Sequence, residues 1–139
     1  MTLKNNLPNL FFLGYDKVMG KILIIEDDSL IAKVFSTRLE SDGHEVFTAE
    51  DGNVGLLLAK KEIPDVLLLD LMMPKVSGLE VLEQLKKDPR TQKIPVLVYS
   101  NLGREKEISQ AKALGASEFI TKADSTPQQV VEKIESYLK

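Results

Sequence analysis

Six residues of this chain could carry out metal and phosphate chemistry together if a fold brought them to one place. They are Glu26, Asp27 and Asp28 in a row, Asp70, Ser100 and Lys122. Carboxylates a few ångströms apart repel each other, so such a cluster either raises a pKa or captures a cation. All-oxygen donors without His or Cys suit a hard ion, and Mg²⁺ is the candidate in a cell. An ammonium and a hydroxyl are not needed to hold a metal. They fit a phosphoryl group beside it, with ion, ammonium and hydroxyl each taking an oxygen. Asp70 stands apart from the other acids and is the candidate nucleophile, with an aspartyl phosphate as the covalent product. Each residue also has a plainer use. Asp27, Asp28 or Ser29 could cap a helix, Ser100 could sit in a turn, and Lys122 could be a solvated charge. Their joint placement is the argument for chemistry.

That placement depends on the elements. Short apolar runs rich in β-branched residues predict strands over 21–26, 65–70 and 94–100, with two more over 44–50 and 117–122. Helical spacing predicts helices between and after them, over 29–43, 51–63, 77–88, 104–115 and 126–139. Leu30, Ile31, Val34, Phe35 and Leu39 mark the first helix, and Ile108, Ala111 and Leu114 the inward side of the fourth. Ser77 with Glu80, and Thr126 with Gln129, have the spacing of capping boxes. Strand and helix alternate five times, which calls for parallel pairing and right-handed crossovers. The expected fold is α/β, a flavodoxin-like doubly wound five-stranded parallel sheet in the order 2-1-3-4-5 with helices on both faces. In such a sheet the site lies beyond the carboxyl ends of the strands. The first strand ends on Glu26, Asp27 and Asp28, the third on Asp70, the fourth on Ser100 and the fifth on Lys122. In that order these ends converge on one rim.

Composition narrows the alternatives. The 139 residues suit one domain, and the hydrophobic fraction of 43% is that of a globular chain. Cysteine is absent and His44 is the single histidine, which excludes thiolate chemistry and leaves little for a histidine-based site. A net charge of −3 does not favour direct nucleic-acid binding, and no apolar run is long enough to span a membrane. Residues 1–18 read as an N-terminal extension, expected to be flexible because Asn and Pro interrupt every period; 19–139 is the domain.

The segments KILIIEDDSLIAKVF, DVLLLDLMMPKVSGLEVLEQLK, IPVLVYS and GASEFITK resemble the receiver domain of two-component response regulators, and the ordered set covers nearly all of the chain after residue 18. The resemblance implies a stand-alone phosphoacceptor switch in the cytoplasm. A sensor histidine kinase or phosphotransfer protein would pass a phosphoryl group to Asp70 with Mg²⁺. Glu26 and Asp27 would be the acidic pair, Asp27 binding the ion directly and Glu26 through water. Met72 would offer its backbone carbonyl. Ser100 and Lys122 would bind phosphoryl oxygens, and Ser100 with Phe119 would form the switch. With no output domain expected after the last helix, a downstream protein would bind at the face of helix 4, strand 5 and helix 5, and the domain would be a monomer or weak dimer. It would not be an enzyme, beyond assisting its own phosphorylation and dephosphorylation. The main alternative is a receiver-like interaction module that is not phosphorylated. A Mg²⁺-dependent phosphohydrolase fits less well, because the place of its second acid is Met72. A dinucleotide-binding domain fits less well still, because the turn after strand 1 is the anionic EDDS where a glycine-rich cradle is required.

The sequence departs from the family pattern at Ala123, where proline usually follows the lysine, and at Asn101, where a small residue usually follows the hydroxyl. In receivers the side chains two past the aspartate and two past the hydroxyl residue flank the water that hydrolyses the aspartyl phosphate; here they are Met72 and Leu102. Neither can orient that water. The phosphorylated state is therefore expected to be long-lived. Met72→Asn combined with Leu102→Glu should speed dephosphorylation about tenfold, or roughly 1.4 kcal/mol of barrier, in a decay assay on the isolated phosphoprotein. A wild type that decays as fast as the double variant would show that these positions do not control the water.

Overall fold

A computed structural model of the chain describes residues 19–101 and 105–138. Five strands and five helices alternate. They are β1 (Lys21–Ile25), α1 (Ser29–Ser41), β2 (Glu45–Ala49), α2 (Gly52–Glu62), β3 (Val66–Leu69), α3 (Gly78–Lys87), β4 (Val96–Ser100), α4 (Glu105–Ala113), β5 (Glu118–Thr121) and α5 (Pro127–Ser136). The sheet is parallel throughout, in the order β2-β1-β3-β4-β5. This is the expected flavodoxin-like arrangement.

The central strands are apolar at every position because both sheet faces are covered. Leu23 and Ile25 of β1, Leu67 and Leu69 of β3, and Val96 and Val98 of β4 point to one face, against α2, α3 and α4. Ile22, Ile24, Leu68 and Leu97 alternate to the other, where Phe35 and Leu39 of α1 and Val131 and Ile134 of α5 close over them. The two halves of the core are thus alternate residues of the same strands.

Helix starts are set by side-chain caps. Asp28 is the N-cap of α1, accepting from the Leu30 and Ile31 N–H groups. At α3 the Ser77 hydroxyl accepts from the Glu80 N–H, and at α5 the full box forms between Thr126 and Gln129. The apolar stripe of α1 divides. Ala32, Phe35 and Leu39 are buried, whereas Leu30 and Val34 lie 71% and 45% exposed, since the sheet covers only one side of the helix. Within α4 only Ala111 is fully buried, with Ile108 half-buried beside it. The strands stop short of the expected ends, and Glu26, Asp70 and Lys122 stand just past them.

His44 ties the amino end of the sheet to α5. Its Nδ1 accepts from the Gly20 N–H at 3.1 Å, so Nε2 carries the proton and donates to Glu135 Oε2 at 2.9 Å. The histidine is structural and lies at the opposite end from the acidic cluster.

One glycine is required by the site itself. The β3–α3 connection folds back so that the Gly78 N–H bonds the Leu71 carbonyl at 3.1 Å. A Cβ at Gly78 would collide with the Asp70 carbonyl oxygen and the Leu71 Cα, both backbone atoms that cannot swing aside. Gly78→Ala should lower stability by about 1–3 kcal/mol in chemical denaturation and also weaken Mg²⁺ binding, because the displaced backbone belongs to Asp70. An alanine variant with unchanged denaturation midpoint and metal affinity would refute the close-approach account.

Candidate functional site

The carboxyl ends of β1, β3 and β5 meet as expected. β1 delivers Glu26 and β3 delivers Asp70, neighbours because the two strands pair in register from Ile22 with Val66 to Ile25 with Leu69. Both residues are 4% exposed, while Asp27 is open to solvent. Carboxylate oxygens of Glu26, Asp27 and Asp70 lie within 4.8 Å of one another. Asp28 does not join them, because its carboxylate is spent on capping α1.

Lys122 bridges the two buried acids. Its ammonium donates to Glu26 Oε1 at 3.0 Å and to Asp70 Oδ2 at 3.2 Å. The other oxygen of each acid is also engaged. The Asp28 N–H donates to Glu26 Oε2 at 3.1 Å, and the Met72 N–H to Asp70 Oδ1 at 3.0 Å. Both carboxylates are therefore fixed in orientation before any ligand arrives.

Of the remaining expected residues, Ser100 ends β4, the strand beside β3. It is fully buried and paired in register with Thr121. Phe119 pairs with Val98 and packs half-buried against the core beneath α2, α3 and α4, on the same sheet face as Ser100. The Met72 side chain is 55% exposed. Leu102 lies outside the described residues. After β5, residues 122–124 make one turn of 3-10 helix, which is how the chain turns with Ala123 where proline is usual.

The electrostatics follow from burial and from this one cation. Burial pushes the Glu26 carboxyl from 4.5 up to about 7, and the nearby Asp70 charge adds to the rise, while the Lys122 and Asp28 hydrogen bonds oppose it. For Lys122, burial acts to lower the pKa, but the Glu26 hydrogen bond and the Asp70 charge outweigh it and leave it raised. Three carboxylates with one ammonium leave a net negative pocket of hard oxygen donors, a set that fits Mg²⁺.

The family model described as response regulator receiver domain matches residues 22–135. The chain belongs to this family. Among curated relatives, receiver sequence is shared with Protein PilH of Pseudomonas aeruginosa, 38% identical over 75% of this chain and 86% of that protein. It is also shared with the DNA-binding dual master transcriptional regulator RpaA of Synechocystis, 43% identical over 75% of this chain. This chain spans only 43% of the length of RpaA. Among solved structures, a receiver domain protein of Methanospirillum hungatei superposes with a TM-score of 0.80, at 27% identity over 86% of this chain and 94% of that one. The chemotaxis protein CheY4 of Vibrio cholerae does so at 0.79, 27% identical over 86% of this chain and 98% of that one. By sequence and by fold this chain is a receiver domain, a module of phosphoacceptor signalling. Among the described residues no helix is long and apolar enough to cross a membrane.

Sequence reading did not find two contributors to the receiver's site. Gly78 was visible only as the start of a helix, and Tyr99 only as one more residue of an apolar strand. Tyr99 lies opposite Ile120, and so on the face of Lys122 two residues later, through a β4–β5 register that residue types alone do not reveal.

The raised Glu26 pKa predicts how capture of a divalent cation at this cluster would respond to pH. The folded-state value lies above the unfolded one. Its contribution to stability is thus present below about 4.5 and lost as pH rises through about 7 in the metal-free protein. A cation needs the ionised form, so Mg²⁺ affinity should rise with pH up to about 7, approaching tenfold per unit where the proton competes fully. Titration calorimetry across this range checks it. Glu26→Gln should flatten the dependence, and a wild type with affinity independent of pH would contradict it.

Proposed function

We propose that this receiver accepts a phosphoryl group on Asp70 from a phosphohistidine, with Mg²⁺ held by Glu26, Asp27, Asp70 and the Met72 carbonyl. The observation that carries this reading is the Lys122 ammonium bonded to Glu26 and Asp70 at once, which joins the metal and phosphate halves of the site. Asp27 binds the ion directly, being exposed. Glu26 acts through water, as the resemblance to receivers implies. When bound, the ion neutralises charge on the transferring phosphoryl oxygens.

The chain's own residues do the rest. An Asp70 oxygen attacks phosphorus, the P–N bond to the donor histidine breaks, and the electron pair leaves with the imidazole nitrogen. Asp70 is aimed by the Met72 N–H, which holds one oxygen and sets the carboxylate plane. Lys122 gives up its bond to Asp70 and follows the negative charge to a phosphoryl oxygen. The Ser100 hydroxyl takes another, and Phe119 on the same sheet face turns inward with it. Population shift towards that state needs only that these contacts favour it.

The donor must cover the rim to bring its phosphorus to Asp70. Leu30, two residues past the cap of α1, and Met72 give that rim exposed apolar surface. Residues 19–139 are the receiver and 1–18 an extension. Output passes to a downstream protein in the cytoplasm through the face of α4, β5 and α5, where a groove of about 520 Å³ runs between β5 and α5. Its lining includes Glu118, Phe119, Thr121, Asp124 and Lys133.

Acetyl phosphate with Mg²⁺ should add one phosphoryl group, read by intact mass, and Asp70→Asn should abolish it. Labelling that persists in Asp70→Asn would place the acceptor elsewhere. A wild type that takes no label from acetyl phosphate or from a phosphohistidine protein would leave the interaction module as the function.

A further inference from the structure

We infer that Tyr99 is a positioning residue for Lys122, its ring backing the ammonium so that the cation stays at Asp70 while its carboxylate partners are taken by ligands. The rate consequence rests on the phosphoacceptor reading above; the positioning itself does not.

Lys122 Nζ lies 5.4 Å from the centroid of the Tyr99 ring, inside the range of a cation–π contact. The contact follows from the sheet. Tyr99 pairs with Ile120 across β4 and β5, and Lys122 is two residues on, on the same face. The ring cannot turn away, for it is 7% exposed and meets Phe35 of α1 edge to face, with centroids 5.3 Å apart at 85°. Phe35 is itself 2% exposed. The path from α1 to the site is thus Phe35, Tyr99, Lys122 and then the two acids, each in contact with the next.

A lysine carries its charge on a flexible four-carbon stem and must be immobilised to act as a fixed charge. Two of its holds at this site are the Glu26 and Asp70 carboxylates. Those same carboxylates are where a divalent cation and a phosphoryl group would act. Each ligand that engages them competes with the ammonium for its partners. Among the described residues, the π face behind Lys122 is the hold that no anionic or cationic ligand of the site consumes. An aliphatic residue at position 99 would fill the space and leave the ammonium free to swing to solvent once the carboxylates are occupied. The ring, rather than the phenol hydroxyl, supplies the contact, so Phe should serve and Leu should not.

The test reads the Lys122 ammonium directly. In ¹H–¹⁵N spectra of lysine side chains, the wild type with Mg²⁺ and beryllofluoride should show a slowly exchanging Lys122 resonance, assigned by its loss in Lys122→Arg. Tyr99→Phe should keep it, and Tyr99→Leu should lose it. Pentafluorophenylalanine at position 99 keeps the shape of Phe but reverses the quadrupole of the face, and it should raise the ammonium exchange rate several-fold over Phe. Fluorination changes the ring's charge distribution without emptying its place in the core, so this comparison stands even if the Leu variant fails to fold. The rate of labelling by acetyl phosphate should fall about tenfold in Tyr99→Leu and stay near wild type in Tyr99→Phe. Equal ammonium exchange in the Phe and pentafluoro proteins would overturn the inference and leave Tyr99 a core residue. If the wild type takes no label while the ammonium still responds to fluorination, the positioning role stands and the phosphoacceptor reading falls.

Discussion

The site is organised by a single ammonium held between two buried carboxylates. Without Lys122, Glu26 and Asp70 would sit at adjacent strand ends, almost completely buried, with only like charge for company among the described residues. Removing one partner of a buried ion pair commonly costs about 3–5 kcal/mol, because the other is left uncompensated. Even with Lys122 present, burial holds the Glu26 carboxyl up at about 7. The resting receiver is thus short of positive charge at the place where Mg²⁺ and the charged groups of a phosphoryl transfer would meet. That shortage makes cation capture favourable, and the same ammonium is already in reach of Asp70.

Everything beneath the rim serves to hold these groups still. Parallel pairing brings the ends of β1 and β3 side by side, and the alternating strand residues fill both halves of the core. The Asp28 cap starts α1 and also orients Glu26 through its own N–H. The tight β3–α3 turn, possible only with glycine at 78, sets the backbone from which Asp70 projects. A switch needs fixed recognition groups and a movable relay between them. Here the acids are fixed on the central strands, whereas β5 is an edge strand with every residue only half-buried.

Much of this was legible in the sequence because two patterns coincide. Unbroken apolar runs separated by helical periods predict a parallel sheet, and polar residues at the ends of such runs predict a site at its carboxyl edge. Glu26, Asp27, Asp70, Ser100 and Lys122 could therefore be placed at one rim from the residues alone, and their convergence supported the strand order. What the residues could not convey was which side of each helix would be covered. Leu30 and Val34 have the spacing of a buried stripe, yet the sheet beneath α1 reaches only Ala32, Phe35 and Leu39. Contacts that cross between strands were equally hidden. The cation–π pair of Tyr99 and Lys122 depends on register, and the demand for glycine at 78 depends on how sharply a loop turns back.

On the proposed function, the acidic cluster and the Ser100 and Lys122 groups form one site completed by two ligands together. If so, Mg²⁺ and the phosphoryl mimic beryllofluoride must bind with a favourable coupling that is the same whichever is added first. Calorimetric titration of Mg²⁺ with and without saturating beryllofluoride measures it most directly. A gain of at least about tenfold in Mg²⁺ affinity, abolished by Asp70→Asn, is the expected result. A Mg²⁺ affinity unchanged by beryllofluoride would mean that the metal and phosphate halves are independent, and the account would be wrong.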